Sequence, residues 1–352
     1  MLKKTVAILF GGKSTEYKIS LSSATHLIEA IDKNKYEILL IKIDKLGKWY
    51  LYSTSNLLNK NKLLLKNQIS ILLGNKYSLI NTKNNVLLPK IDVVFPVLHG
   101  FYGESGAIQG LLNLLNVPYV STDIIGSSIC IDKDITKRLL KKLDINVAPF
   151  ITLYKNSYIP SFNSIAKKLK LPWFIKPARH GSSIGISKVN NYHEFVSALK
   201  LAFNLDQKIL IEQSIIAREI EIGIIGNNFP KVSVCGEIVT NNNFYSYYDK
   251  YINNQNIKLI IPAKLNHIIV KKIQKLAIKI YLSLGCSIMA RIDFLLQENN
   301  NIIVNEINTI PGFTNNSMFP KLFIAKGLSY SKLIDRLILL AIQRHKEKII
   351  TL

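Results

Sequence analysis

The sequence predicts a mixed α/β and α+β chain of three modules, an open parallel sheet followed by two α+β modules. Three observations carry this. Short apolar runs alternate with helical periodicity in the first third. The middle section changes texture, with brief strand-like segments around a glycine- and serine-rich stretch. The last third holds longer β segments between two long helical patterns. The module boundaries are placed at residues 1–125, 126–215 and 216–352.

In order, Thr5–Phe10 is a buried strand and Ser20–Ile31 has helical spacing through Leu21, Ala24, Leu27, Ile28 and Ile31. Tyr36–Ile43 is a second strand. Residues 50–90 are irregular, with short strand-like pieces. Ile91–Leu98 is a strand, Glu104–Asn116 a helix and Val117–Val120 a short strand. A helix runs from Asp132 to Leu143. Strands follow at Trp173–Lys176, Ile186–Val189 and Lys208–Gln213, with a helix at Tyr192–Ala202. Strands at Arg218–Ile225, Lys231–Val239, Ser287–Leu296 and Ile302–Ile307 close the chain with helices at Leu265–Leu284 and Tyr330–Lys348.

Composition narrows the classes. At 352 residues with 48% hydrophobic and 20% charged, the chain can bury real cores and is not intrinsically disordered. No apolar run approaches the roughly 18–20 residues of a membrane span. The apolar N-terminal stretch ends at Gly11, short of the about 7–15 residues of a signal-peptide core, so a cytoplasmic protein is expected. The net charge of +23 comes from 40 lysines and six arginines against 23 acids. Scattered lysines among many asparagines and isoleucines fit A/T-rich codons better than the clustered arginines and aromatics of a nucleic-acid footprint. No nucleic-acid partner and no membrane are expected. Cys130, Cys235 and Cys286 match no metal spacing and read as buried, reduced thiols.

Gly11-Gly12-Lys13-Ser14 resembles the tail of a P-loop, but the glycine required five residues before Gly12 is Ala7, inside a strand. A tight strand-to-helix turn fits better. Glu16 follows it, either as a first-turn acid complementing the helix dipole or as a holder of a small ammonium. Lys176-Pro-Ala-Arg-His-Gly181-Ser182-Ser183-Ile-Gly185 lies between two strands. It is either a flexible hairpin tip or a loop whose amides face an anion, with Lys176 adding a point charge.

The C-terminal side says more. Arg291 and Asp293 alternate with apolar residues and share one strand face. After a turn at residues 297–301, Glu306 and Asn308 share one face of the returning strand. A hairpin with those faces in register gathers oxygen ligands suited to Mg²⁺ shared with phosphates, and unsuited to zinc. Gly312 then permits close backbone approach, and its N–H with Arg291 could form an oxyanion hole.

Taken together, these motifs resemble the D-alanine–D-alanine ligases of the ATP-grasp superfamily, from about Val6 to Ile342. The stretches are Gly11-Gly12…Glu16…Ser20, His99-Gly100…Gly103-Glu104…Gly106, Lys176-Pro177…Gly181-Ser182-Ser183…Gly185, Tyr245…Lys250-Tyr251, Arg291-Ile-Asp293 and Asn305-Glu306-Ile-Asn308…Pro311-Gly312. The resemblance implies an ATP-grasp architecture whose two α+β modules sandwich ATP. It implies formation of D-alanyl-D-alanine from two D-alanines through an acyl phosphate, for peptidoglycan precursor synthesis. The cofactors implied are ATP and two Mg²⁺ (or Mn²⁺), and the assembly implied is a homodimer.

Residue by residue, it implies that Lys133, Lys176 and Lys250 meet ATP phosphates. Ser182 and Ser183 belong to the glycine loop. Glu212 and Glu219 hold adenine and ribose. Asp293, Glu306 and Asn308 hold the metals. Glu16 binds the ammonium of the first D-alanine, and Ser317 with the backbone at Met318 binds the carboxylate of the second. His99 lines the first substrate pocket or is a buried structural histidine. Tyr251 on a lid loop goes with dipeptide rather than ester synthesis, and forms a closing triad with Ser182 and Glu16. Arg291 and Gly312 stabilise the tetrahedral oxyanion. The lid departs from the family pattern: a Tyr-Asp-Tyr-Glu-Ala-Lys-Tyr run is usual, and this chain has Tyr245-Ser246-Tyr247-Tyr248-Asp249-Lys250-Tyr251.

Overall fold

The computed structural model describes residues 3–53, 67–74, 79–240 and 257–350. β1 (Lys4–Gly11) is buried on both faces, which is why it reads as a continuous apolar run rather than an alternating one. It pairs in parallel with β2 (Tyr36–Ile43) on one side and β6 (Val93–Pro96) on the other. β3 (Trp49–Tyr52) adds an antiparallel edge, giving the order β3-β2-β1-β6. Within residues 50–90, β4 (Ile69–Ile71) and β5 (Leu79–Asn81) form a small ribbon.

Both faces of the first sheet are covered. On one, α1 (Tyr17–Ala30) packs Ala24, Leu27 and Ile28 against Val6, Ile8 and Phe10. On the other, Ile108 and Leu112 meet Ala7, Leu9 and Ile41. The expected helix at Glu104–Asn116 is split into α2 (Phe101–Glu104) and α3 (Ala107–Leu114). Gly106 makes the break, with φ of 92° and no room for a side chain, since a Cβ there would lie 2.6 Å from Ser128 Oγ. The expected strand at Val117–Val120 contributes only a bridge from Tyr119 to Val94, because Pro118 has no N–H to extend a ladder.

Two helices then abut at Asp132. α4 (Ile124–Ile131) starts at Asp123, and α5 (Lys133–Lys142) starts at Asp132, whose carboxylate accepts from the amides of Asp134 and Ile135. α4 has no counterpart in the sequence-based expectation. The second sheet is antiparallel, with the order β7 (Phe150–Tyr154), β10 (Lys208–Gln213), β8 (Trp173–Pro177), β9 (Ser187–Val189). α6 (Phe162–Ala166) and α7 (Tyr192–Leu205) cover its apolar face, where Phe195 and Ala202 pack with Trp173, Ile175 and Ile209.

The third sheet is antiparallel, in the order β13 (Ile257–Ile260), β12 (Lys231–Thr240), β11 (Arg218–Gly226), β14 (Ile288–Leu296), β15 (Ile302–Asn308). α8 (His267–Ser283) buries Ile273, Ala277 and Ile280 against it, and Cys130, Leu140 and Ile145 join the same core. α9 (Met318–Ala325) crosses the opposite face at Gly223, where a Cβ would sit 2.7 Å from Phe323. α10 (Tyr330–Ile350) returns to the first sheet, placing Leu333, Ile334 and Leu337 in the core of Val6 and Ile8. All three cysteines are buried and unbridged. Cys130 and Cys286, distant in sequence, come to 3.6 Å between their sulfurs.

Candidate active site

The β14–β15 hairpin sets Asp293 opposite Glu306 and Arg291 opposite Asn308. A bulge accompanies this, since Phe294 pairs with Val304 and Asn305 is the extra residue. Arg291 donates from Nε to Asp293 Oδ1 and from Nη2 to Oδ2, both at 2.7 Å, and lies 2.9 Å from Glu221 on β11. Burial opposes the charge of Arg291, but Asp293, Glu221 and Glu306 outweigh it and hold the guanidinium firmly protonated. Asn308 Nδ2 reaches Asp293 Oδ2 at 3.2 Å and Glu306 Oε1 at 3.5 Å.

One face of the hairpin thus carries two carboxylates and an amide. Among the described residues, no group of three His, Cys, Asp or Glu side chains is placed to hold a metal. Two carboxylates and an amide oxygen still fit Mg²⁺, which commonly binds through one or two carboxylates and takes its remaining ligands from phosphates and water.

Cationic groups converge beside this face. Lys133, the first residue of α5, donates from Nζ to the His180 carbonyl at 2.6 Å. Burial pulls its pKa down, while Glu306 works against that. Lys176, near the end of β8, donates to Glu212 Oε1 on β10 at 2.7 Å. Burial alone would raise the Glu212 pKa, but Lys137 and Lys176 overcome it and depress the pKa to about 2. Glu219 stands at the half-buried start of β11.

Between β8 and β9 the loop turns through Ser182 (φ 54°), Ser183 (φ 58°) and Gly185 (φ 72°). Left-handed serines are costly, of order 1–3 kcal/mol each, and such strain concentrates at ligand sites. Ser182 Oγ donates to Glu16 Oε1, so the loop reaches the turn after β1. That turn is built by Gly11 and Gly12, at φ of 90° and 95°. A Cβ on Gly100 would lie 3.1 Å from Glu16 Oε2, so this glycine leaves room for the carboxylate. Neighbouring His99 pairs through Nε2 with Ser23 Oγ at 3.0 Å, and burial lowers its pKa.

A small cavity is lined by Glu104, Lys133, Gly181, Glu306 and Asn308, which come from distant parts of the chain. Within it, burial followed by the neighbouring Glu16 pushes the Glu104 carboxyl up to about 8. A larger cavity of about 390 Å³ opens beside His99, Ser14 and Trp49.

The two halves of the chain match the family models described as D-ala D-ala ligase N-terminus (residues 5–122) and D-ala D-ala ligase C-terminus (residues 139–339). The chain belongs to the D-alanine–D-alanine ligase family. It is 45% identical to D-alanine–D-alanine ligase A of Salmonella typhimurium, over 98% of this chain and 97% of that protein. Among solved structures, the ligase of Coxiella burnetii superposes with a TM-score of 0.85 at 35% identity, covering 99% of this chain and 98% of that one. The VanG D-Ala:D-Ser ligase of Enterococcus faecalis gives 0.86 at 35% identity over 97% and 100%. A Bacillus anthracis ligase complexed with ATP gives 0.74 at 27% identity over 98% and 99%.

In this ligase the sequence-derived candidates fall into three contacting groups, Glu16 with Ser182, Lys176 with Glu212, and Arg291 with Asp293, Glu306 and Asn308. Gly312 and Ser317 lie together in the loop after β15. A Cβ on Gly312 would come 2.7 Å from Ser317 Oγ, which also accepts from the Thr314 amide at 3.0 Å. Met318 buries its side chain with Ile238 and Leu322, leaving its backbone as the group a substrate could meet. Tyr251 and Lys250 lie outside the described residues.

Two residues beside the site escaped the sequence reading, and Glu104, quoted there within a motif, was given no role. Glu221 lies two residues beyond Glu219 on one strand face. Lys137 lies one helical turn beyond Lys133. Strand alternation and the i, i+4 helical spacing were the signals for the first two.

Proposed function

We infer that this ligase joins two D-alanines to D-alanyl-D-alanine at the expense of ATP. The observation that carries the reading is that Lys133, Glu306 and Asn308 line one cavity with Gly181, where a Cβ would lie 3.7 Å from Glu16 Oε2. On this reading an ammonium holder, a phosphate holder and an oxygen cradle would stand side by side there.

A carboxylate does not acylate an amine in water, because its leaving group is poor. Transfer of the γ-phosphoryl group of ATP to the carboxylate of the first D-alanine makes an acyl phosphate. Glu16 would hold that substrate's ammonium. Lys133, Lys176 and the amides around Ser182 and Ser183 would hold the phosphate charge. Asp293, Glu306 and Asn308 would hold Mg²⁺ or Mn²⁺, and the bound metal would neutralise charge on the transferring phosphoryl group. The amine of the second D-alanine then attacks the acyl carbon. Arg291 and the Gly312 N–H would stabilise the oxyanion, Ser317 and the Met318 backbone would hold the second carboxylate, and phosphate departs. Glu212 and Glu219 would hold the adenosine. Lys250 would add to the charge that holds the phosphates, and Tyr251 would favour dipeptide over ester synthesis.

The VanG neighbour, named for D-Ala:D-Ser ligation, favours one second reading, in which D-serine is the acceptor. No helix among the described residues is long and apolar enough to cross a membrane. A cytoplasmic homodimer completes the proposal. The test is phosphate release from MgATP with D-alanine, D-serine or D-lactate present, and the products resolved. D-alanyl-D-alanine as the main product supports the reading, and D-alanyl-D-serine in excess would replace it.

A further inference from the structure

The helix face that carries Lys133 also carries Lys137. Lys137 is 2% exposed, and its Nζ lies 2.9 Å from Glu212 Oε2. The other oxygen of the same carboxylate accepts from Lys176. One buried carboxylate therefore serves two ammonium groups, and the two lysines differ in freedom. Lys176 is partly exposed and sits next to the glycine loop. Lys137 is sealed beneath it, near the ring of Phe150. Lys137 Nζ and Glu212 Oε2 form a buried ion pair. Glu212 is also the only carboxylate within ion-pair distance of Lys137 among the described residues.

If Lys176 turns toward a triphosphate, Glu212 loses one of its two counter-charges. A buried carboxylate stripped of its partners takes up a proton or moves. Lys137 cannot follow the phosphates, because it is enclosed, and so it stays.

We propose that Lys137 is a positioning residue of the nucleotide site, holding the Glu212 carboxylate in place while Lys176 exchanges Glu212 for a phosphate oxygen of ATP. The proposal rests on reading Glu212 and Lys176 as nucleotide contacts. Lys137 itself touches neither nucleotide nor amino acid.

The test uses the full chain, with Lys137→Met, Lys137→Arg, Glu212→Gln and the Lys137→Met/Glu212→Gln double variant. ADP affinity is measured by calorimetry, and KM is measured separately for ATP and D-alanine. Lys137→Met is expected to weaken ADP binding and raise the KM for ATP by about tenfold or more, with the KM for D-alanine changed by less than about twofold. Lys137→Arg recovers most of the loss. In the Glu212→Gln background, Lys137→Met changes ADP affinity by less than about twofold, because the carboxylate it acts through is gone. If Glu212→Gln alone binds ADP as tightly as the parent, the reading of Glu212 fails. If Glu212→Gln weakens binding but Lys137→Met does not, or if the two losses simply add, the role of Lys137 is overturned and the reading of Glu212 stands. Should Lys137→Met fail to fold, Lys137→Gln takes its place with the same outcomes.

Discussion

Ser182 donates its hydroxyl proton to the carboxylate of Glu16, tying the glycine loop of the second sheet to the turn that follows β1. The two residues stand beside different sheets, so under the proposed roles the bond would link phosphate handling to amino-acid handling. Ser182→Ala leaves Glu16 without this donor. A hydrogen bond to a charged group is worth about 1.5–3 kcal/mol. The expected result is a fall of about 10- to 100-fold in kcat/KM for D-alanine, read by steady-state phosphate release. Unchanged kinetics would separate the loop from the first substrate.

Arg291 is clamped by Asp293 and Glu221, so its structural part and its proposed catalytic part can be pulled apart. Arg291→Ala is expected to lower kcat by about 10²–10³. It also strands two buried carboxylates, at a folding cost of about 3–5 kcal/mol. Arg291→Lys keeps the charge and loses the fork. It is expected to recover most of the melting temperature and little of the rate. Recovery of both together would make the arginine structural.

Glu212 makes the fold sensitive to acid in a defined window. Its folded pKa, about 2, lies below the ordinary value of 4.5. The folded state therefore binds fewer protons between those values. The contribution is full above 4.5 and is lost as the pH falls toward 2. Glu212→Gln should be less stable than the parent at neutral pH and lose less on acidification. Urea midpoints measured from about pH 6 to pH 3 check the difference in slope, and parallel curves would contradict the pairing.

The oxygen face of the hairpin predicts a metal requirement. Glu306→Gln removes one of the two carboxylates of that face. The Mg²⁺ concentration for half-maximal phosphate release is expected to rise by about tenfold or more, with partial recovery at high Mg²⁺. An unmoved Mg²⁺ dependence would take Glu306 out of the metal set.

The site was legible where it depends on periodicity alone. The facing of Asp293 and Glu306 follows from strand alternation and one polar turn, and the observed register places them opposite each other. The parallel pairing of β1 and β2 was legible from a different signal, since β1 carries a continuous apolar run and β2 a shorter one at residues 38–41. What escaped depends on contacts made across long sequence distances. α4 is held by packing Cys130 into the core of Ile222 and Ile292, which no local pattern announces. The Lys137–Glu212 pair joins a helix to a strand from another part of the chain. The approach of Cys130 to Cys286 likewise arises only when α4 meets the turn before β14.

The most direct test of the account supplies D-alanine labelled with oxygen-18 in its carboxylate, with MgATP, and examines the released phosphate by mass spectrometry. An acyl phosphate predicts one labelled oxygen in phosphate for each dipeptide formed, because the oxygen that attacks ATP leaves with the phosphoryl group. Dipeptide accumulating beside unlabelled phosphate would contradict it.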